Sequence, residues 1–337
     1  MSDRRATLHD VARYCSVSYQ TVSRVVNHHP YVAEETRERV LKAIEELGYR
    51  PNRAAQSLAA NRSHVLGMLT FGIENYGPAQ VMIHTEQAAR AAGYDLIFVH
   101  TPDSHIESLR AALKRLLHWQ VDGLILITPL TNISLDDVRS LSGDYPMVQI
   151  GIERGASVPS VGVNQQRGGE LVADYLLALG HEQIAEIAGP DDWFDAAERH
   201  HGFGAQLARA NTAPTATIHG DWSARSGYEA TTNLLASGAR FSALFCANDQ
   251  MAVGALQALN KAGRRIPEDI SLIGFDDIPE AAYLIPPLTT VRQDFAAVGQ
   301  QGIAGLLQRI AEPDGEPQQI HIEPTLIERQ STAPRKP

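Results

Sequence analysis

From Val65 onward the chain alternates short apolar runs with amphipathic stretches, and this alternation constrains its fold more than any other feature. The apolar runs Val65–Thr70, Asp95–His100, Gly123–Thr128, Met147–Ile150, Gln183–Ala188, Ala243–Ala247 and Ile270–Phe275 have the length of strands. Between them, Gln80–Ala92, Ile106–His118, Arg167–Leu179 and Gln250–Ala262 read as helices. Strand and helix in turn predict a parallel sheet with helices on both faces. About 270 residues are too many for one such sheet. Two doubly wound halves are expected instead, 63–162 and 163–292. Residues 293–330 are expected to return to the first half, with 331–337 as a tail. A ligand cleft belongs at the strand ends between the halves.

The first 50 residues obey a different rule. Val22, Val25 and Val26 fall at i, i+3 and i+4, while Tyr19, Gln20, Ser23, Arg24 and Asn27 fall opposite. A buried stripe behind planar, hydrogen-bonding side chains suits a helix lying in the DNA major groove. Before it, Leu8, Val11, Ala12 and Cys15 share a face, and Thr7 with Asp10 resembles a capping box. After it, Thr36, Val40, Ala43, Ile44 and Leu47 form the inner face of a third helix, which Gly48 stops. Three short helices around one core predict an all-α helix-turn-helix head at 1–50. Periodicity alone leaves a plain helical bundle open. The segment 51–62 is rich in helix formers but holds only two turns around Leu58, marginal as a helix in isolation.

Charge supports the division. The net formal charge is -10, yet residues 1–62 carry 10 Lys and Arg against 7 Asp and Glu. A slightly basic head on an acidic body fits local phosphate contact. No apolar run reaches the roughly 20 residues of a membrane span. No signal sequence is evident, and with only two cysteines, Cys15 and Cys246, a reducing cytoplasmic setting is expected. The sequence lacks Gly-x-Ser-x-Gly, the phosphate-binding Gly-x-x-x-x-Gly-Lys loop, His-Glu-x-x-His and Cys-x-x-Cys. No catalytic residue, metal or cofactor is therefore expected. Gly168-Gly169 after a strand is a weak phosphate signal, and His28 and His29 read as solvated loop residues.

Ala6–Ala12, Ser18–Asn27, Thr36–Val40 and Leu47–Asn52 together resemble, in order and spacing, the head of the LacI/GalR family of transcriptional regulators. The body carries further family marks at Tyr175–Ile184, Ile187–Pro190, Ala247–Ala252, Ile273–Asp277 and Pro286–Thr290. The resemblance spans essentially the whole chain and implies a type I periplasmic-binding-protein-like body. It further implies that Tyr19, Gln20 and Arg24 read base edges and that Leu58 wedges into a minor-groove step. Arg suits guanine and Gln suits adenine. Thr7, Ser18, Thr21, Ser23, Asn27 and Asn52 would hold the DNA backbone. In the cleft it implies Arg199, Asn248, Asp276 and Gln293 as polar contacts to a ligand, with Trp222, Phe295 and Phe71 as apolar ones.

Several positions depart from the family. Ser16 stands where the turn often has Gly, and Ala33 where Ser or Thr often caps the third helix. Gly151 replaces an Asp that touches ligand in many members, and Glu153 or Trp193 would have to compensate. The Gly220-Asp-Trp-Ser223 context favours a sugar-responsive member over a purine-responsive one. The expected function is a homodimeric repressor of carbohydrate-utilisation genes. It would hold a pseudo-palindromic operator until a galactoside or other glycoside releases it. The alternative is a regulator of the same fold corepressed by a purine or another small molecule. The polar end, Arg329–Pro337, lacks the leucine heptads by which some members tetramerise.

Overall fold

A computed structural model describes residues 6–26, 30–49, 62–101, 103, 105–127, 135–151 and 158–335. The chain forms two compact units, 1–63 and 64–337. The expectations for Asn27, His28, His29, Asn52, Leu58 and Glu153 lie outside the described residues, as does nearly all of the 51–62 hinge.

In the head, α1 (Leu8–Tyr14), α2 (Tyr19–Val26) and α3 (Glu34–Glu46) close over one small core. Val11, Val22 and Val40 are fully buried there, with Val25, Ala43 and Cys15 around them. The capping box at Thr7 forms. The Asp10 amide donates to Thr7 Oγ1 at 3.3 Å, and the Thr7 amide donates to Asp10 Oδ2 at 2.9 Å. Ser18 caps α2, accepting from the Thr21 amide at 3.1 Å. Ala33 offers α3 no side-chain cap.

The turn between α1 and α2 bends at Ser16, whose φ is 52°. A left-handed residue with a Cβ costs roughly 1–2 kcal/mol, partly offset because glycine would loosen the unfolded chain. Ser16→Gly is therefore expected to stabilise the head by about 0.5–1 kcal/mol, read as a higher midpoint of the head's thermal transition.

The body begins with β1 (Val65–Thr70), α4 (Tyr76–Ala91), β2 (Asp95–His100), α5 (Ile106–His118), β3 (Gly123–Ile127), α6 (Leu135–Ser142), β4 (Met147–Ile150) and β5 (Ser160–Val163). The chain then crosses into α7 (Gln165–Ala178), β6 (Ile184–Ala188), α8 (Phe194–Arg209), β7 (Ala216–His219), α9 (Ala224–Ala236), β8 (Ala243–Cys246), α10 (Asp249–Lys261), β9 (Ser271–Ile273) and β10 (Thr290–Arg292). It returns through α11 (Phe295–Ala311) and β11 (Gln319–Ile322), and β12 (Thr325–Ile327) follows.

Two parallel sheets result. One has strand order β11-β5-β4-β3-β1-β2, the other β7-β6-β8-β9, and β10 pairs antiparallel with β12. In the first, Val81, Val298 and Leu306 of α4 and α11 cover one face, and Leu109, Leu113 and Leu116 of α5 cover the other. In the second, Leu234, Met251 and Leu259 of α9 and α10 lie opposite Leu176, Phe203 and Leu207 of α7 and α8. The buried strands read as continuous apolar runs because both faces are covered.

The end of the chain corrects the expected division. Only 295–322 returns to the first half. Beyond it, β12 pairs with β10, and Ser331 is fully buried against the second half. Ser331 Oγ donates to the Leu272 carbonyl at 2.6 Å and accepts from the Thr289 amide at 2.8 Å. The Arg335 amide donates to the Leu179 carbonyl at 2.8 Å. The polar sequence suggested a free tail because it satisfies backbone groups rather than filling an apolar core. Residues 331–335 are therefore part of the body.

Candidate ligand cleft and DNA-facing helix

A cavity of about 340 Å³ lies at the carboxyl ends of the strands, between the two sheets of the body. Arg199, Trp222, Asn248, Asp276, Gln293 and Phe295 all line it. Phe71 does not. Its ring stands 6.0 Å from that of Trp193, which takes the place on the wall. Trp193 in turn meets Trp222 edge-on at 5.6 Å. On the first-half side the wall is Tyr76, Pro78, Val81, Ile127, Ile150 and Val163. Gly151, at φ 107°, lines the cavity without a side chain.

Arg199 is held from three sides. Its Nε and Nη2 donate to Gln165 Oε1 at 3.2 and 2.7 Å, and its Nη1 donates to the Ala247 carbonyl. The guanidinium stacks 3.5 Å from the Phe275 ring centroid. The α7–α8 contact that places it depends on Gly169, where a Cβ would strike the Arg199 backbone carbonyl. Gly168 likewise leaves room for the Phe275 ring, so the glycine pair serves packing in this body.

Burial pushes the Arg199 pKa down, against the Asp276, Asp195 and Asp249 carboxylates, which hold it up. Burial raises Asp276 to about 6, although Arg199 and the Gln293 hydrogen bond oppose the rise. Asp195 is also raised by burial, against the pull of Arg199. Asp249 lies deeper, accepting from Thr290 Oγ1 at 2.7 Å and the Ile278 amide at 2.9 Å, and burial drives its pKa well up.

Two of these site residues sit in left-handed backbone: Asp276 at φ 109° and Trp222 at φ 73°. Such conformations persist only where the surroundings impose them. The Asp276 amide donates to the Val291 carbonyl at 2.8 Å, and Gln293 Nε2 donates to Asp276 Oδ1 at 2.6 Å. Asp276 Oδ2 has no hydrogen-bond partner among the described residues. Asn248 caps α10 through the Met251 amide at 2.9 Å and donates to the Trp222 carbonyl at 3.0 Å.

Sequence reasoning missed Gln165, Phe194 and Asp195, all of which line the cavity. Gln165 and Asp195 open helices whose starts the apolar pattern does not mark. The acidic run Asp191-Asp192-Trp193-Phe194-Asp195 was the available signal for the second.

In the head, Tyr19, Gln20 and Arg24 stand exposed on one side of α2 while Val22 and Val25 are buried on the other. Tyr19 packs its ring 4.7 Å from that of His9. Thr7 and Ser18 spend hydroxyl contacts on caps, Thr7 Oγ1 donating to Asp10 Oδ2 at 2.6 Å and Ser18 Oγ lying 2.8 Å from Thr21 Oγ1. Cys15 and Cys246 are buried free thiols.

A helix-turn-helix head joined to a two-sheet body with a polar cleft defines a regulator that binds DNA and answers to a small molecule. Residues 7–52 match the bacterial regulatory proteins of the lacI family, and 173–332 match the periplasmic binding protein-like domain. The chain is 39% identical to the lactose operon repressor of Escherichia coli (strain K12) over 302 residues, 90% of this chain and 84% of that one. It is 38% identical to the HTH-type transcriptional repressor PurR of Erwinia tasmaniensis, over 97% of each chain. A lac repressor dimer bound to operator and the anti-inducer ONPF superposes with a TM-score of 0.90 at 36% identity, over 98% of this chain and all of that one. The transcriptional regulator CelR in complex with cellobiose gives 0.74 at 30% identity, over 97% of this chain and all of that one. The chain belongs to the LacI family, and it is a DNA-binding transcriptional regulator. No described helix is long and apolar enough to cross a membrane.

Proposed function

We propose that this regulator is a homodimeric, cytoplasmic repressor of carbohydrate-utilisation genes, released from its operator by a glycoside bound in the cleft. It acts by binding alone, without a chemical step. The observation that carries the reading is the inner wall of the cavity. Asp276 keeps one carboxylate oxygen without a partner among the described residues, within the electrostatic reach of the Arg199 guanidinium, with Trp222 and Trp193 alongside. Acceptors for hydroxyl donors next to an apolar ring face suit an uncharged, hydroxylated ring. The cavity volume suits one or two such rings.

In the head, Tyr19, Gln20 and Arg24 would read bases, with Thr7, Ser18, Thr21 and Ser23 on phosphates. The resemblance adds Asn27 and Asn52 to the phosphate contacts and Leu58 as the wedge. A thermal-shift screen of mono- and disaccharides against purine bases tests the ligand class. Stabilisation by a glycoside and none by a purine is expected. Stabilisation by a purine alone would replace the inducer with a corepressor.

The carboxylate also fixes a pH dependence. The folded pKa of Asp276, about 6, lies above its ordinary 3.8. Between those values the folded chain holds more protons than the unfolded one. The contribution of this group to stability is therefore fully present below about pH 4 and is lost as pH rises through about 6. Ligand binding runs the other way, because a hydroxyl donating to Asp276 favours the ionised form. Glycoside affinity at pH 5 is expected to be roughly tenfold below that at pH 7.5, measured by calorimetry at both values.

A further inference from the structure

Gln165 is the first residue of α7, where the chain first crosses between the halves, and Gln293 follows β10, where it crosses back. The two amides meet: Gln165 Nε2 donates to Gln293 Oε1 at 2.8 Å. Every polar atom of Gln165 is engaged. Its Oε1 accepts both Arg199 donors, and its Nε2 also approaches Asp195 Oδ2 at 3.3 Å. Gln293 continues the chain of bonds to Asp276 Oδ1 at 2.6 Å. Gln165, Gln293, Arg199 and Asp276 are all more than nine-tenths buried. The groups that would grip a ligand are thus hydrogen-bonded through one amide to two of the three crossings, the third being the link from β11 to β12. A rotation of the halves is absorbed at those crossings, as at a hinge.

We infer that Gln165 is the positioning residue through which ligand bound at Arg199 and Asp276 changes the relative placement of the two halves. The inference rests on the ligand-released reading above. A ligand shifts a two-state equilibrium only by its differential affinity for the states. That difference here lies in whether the Asp195–Gln165–Gln293–Asp276 chain is intact. Bonds inside a buried network are mutually supporting, so removing the central amide disconnects the outer members from each other.

The test compares wild type with Gln165→Leu and Gln165→Glu. Operator affinity is measured without sugar and at saturating lactose or cellobiose, on DNA selected by the protein from a random pool. The saturating response reports the coupling between sites and is independent of how tightly the sugar binds. Calorimetry gives sugar affinity and thermal unfolding gives stability. Wild type is expected to lose operator affinity at least tenfold. In Gln165→Leu that response is expected to shrink to less than twofold while the sugar still saturates. Gln165→Glu keeps the acceptor for Arg199 but loses the donor to Gln293 and is expected to respond weakly as well. A Gln165→Leu protein that binds sugar and responds in full overturns the inference and leaves the sugar reading standing. A wild type that neither sugar affects overturns both.

Discussion

Arg199→Ala is expected to weaken glycoside binding at least a hundredfold and to abolish release from the operator. The guanidinium is the only cationic group among the described residues lining the cavity, and it is almost fully buried. Hydrogen bonds from a charged donor are worth about 1.5–3 kcal/mol each, so losing one or two of them to a bound ligand accounts for a hundredfold loss. Asp276 and Asp195 would lose the group that holds their pKa values down, and both would move further up. Gln165 Oε1 and the Ala247 carbonyl would each lose a donor. The substitution therefore lowers body stability too, and the experiment needs a folded-state control. Circular dichroism and the melting curve supply it, and calorimetry on the folded protein supplies the affinity. Arg199→Lys keeps a charge but not the fork that meets Gln165 and Ala247 at once. It is expected to fall between wild type and alanine.

Val22→Asp is expected to remove operator binding while leaving the body and its ligand affinity intact. Val22 is fully buried in the head among Val11, Val25, Val40 and Ala43. An isolated carboxylate there has no partner, and the cost of burying it is several kcal/mol. A three-helix head of this size has little stability to lose. The chain separates at residue 63, so the damage stays within the head. Two thermal transitions in wild type should become one in the variant, at the body's unchanged midpoint. A gel-shift assay reads the loss of DNA binding.

What the sequence revealed followed the physics of each element. In the head, burial is one-sided, so Val22, Val25 and Val26 announced the inner face of α2, and Thr7 with Asp10 announced its neighbour's start. In the body, strands covered on both faces stood out, such as Gly123-Leu-Ile-Leu-Ile127 and Ala243-Leu-Phe-Cys246. β7 and β11 lie at sheet edges, where Ala216-Thr-Ile-His219 and Gln319-Ile-His-Ile322 carry too little apolar signal. β10 and β12 hold three residues each, below any detectable period.

The cleft divides in the same way. Arg199, Asp276 and their neighbours were legible through family motifs. Gln165 was not, because no pattern in a sequence distinguishes a buried, satisfied amide from a solvated one, and Asp195 was signalled only by the acidic run around it. Phe71 was placed on the wall by resemblance, but the neighbouring indole of Trp193 lines the cavity instead. That same indole, together with Asp195, puts side chains into the cavity that Gly151 leaves bare.

The central claim is that a sugar in the cleft controls the grip of the head on DNA. Operator affinity measured with and without saturating lactose or cellobiose tests it directly, using DNA selected by the protein itself. The account predicts at least a tenfold loss of affinity for at least one of these sugars. Unchanged affinity with both, or tighter binding produced by either, would contradict it.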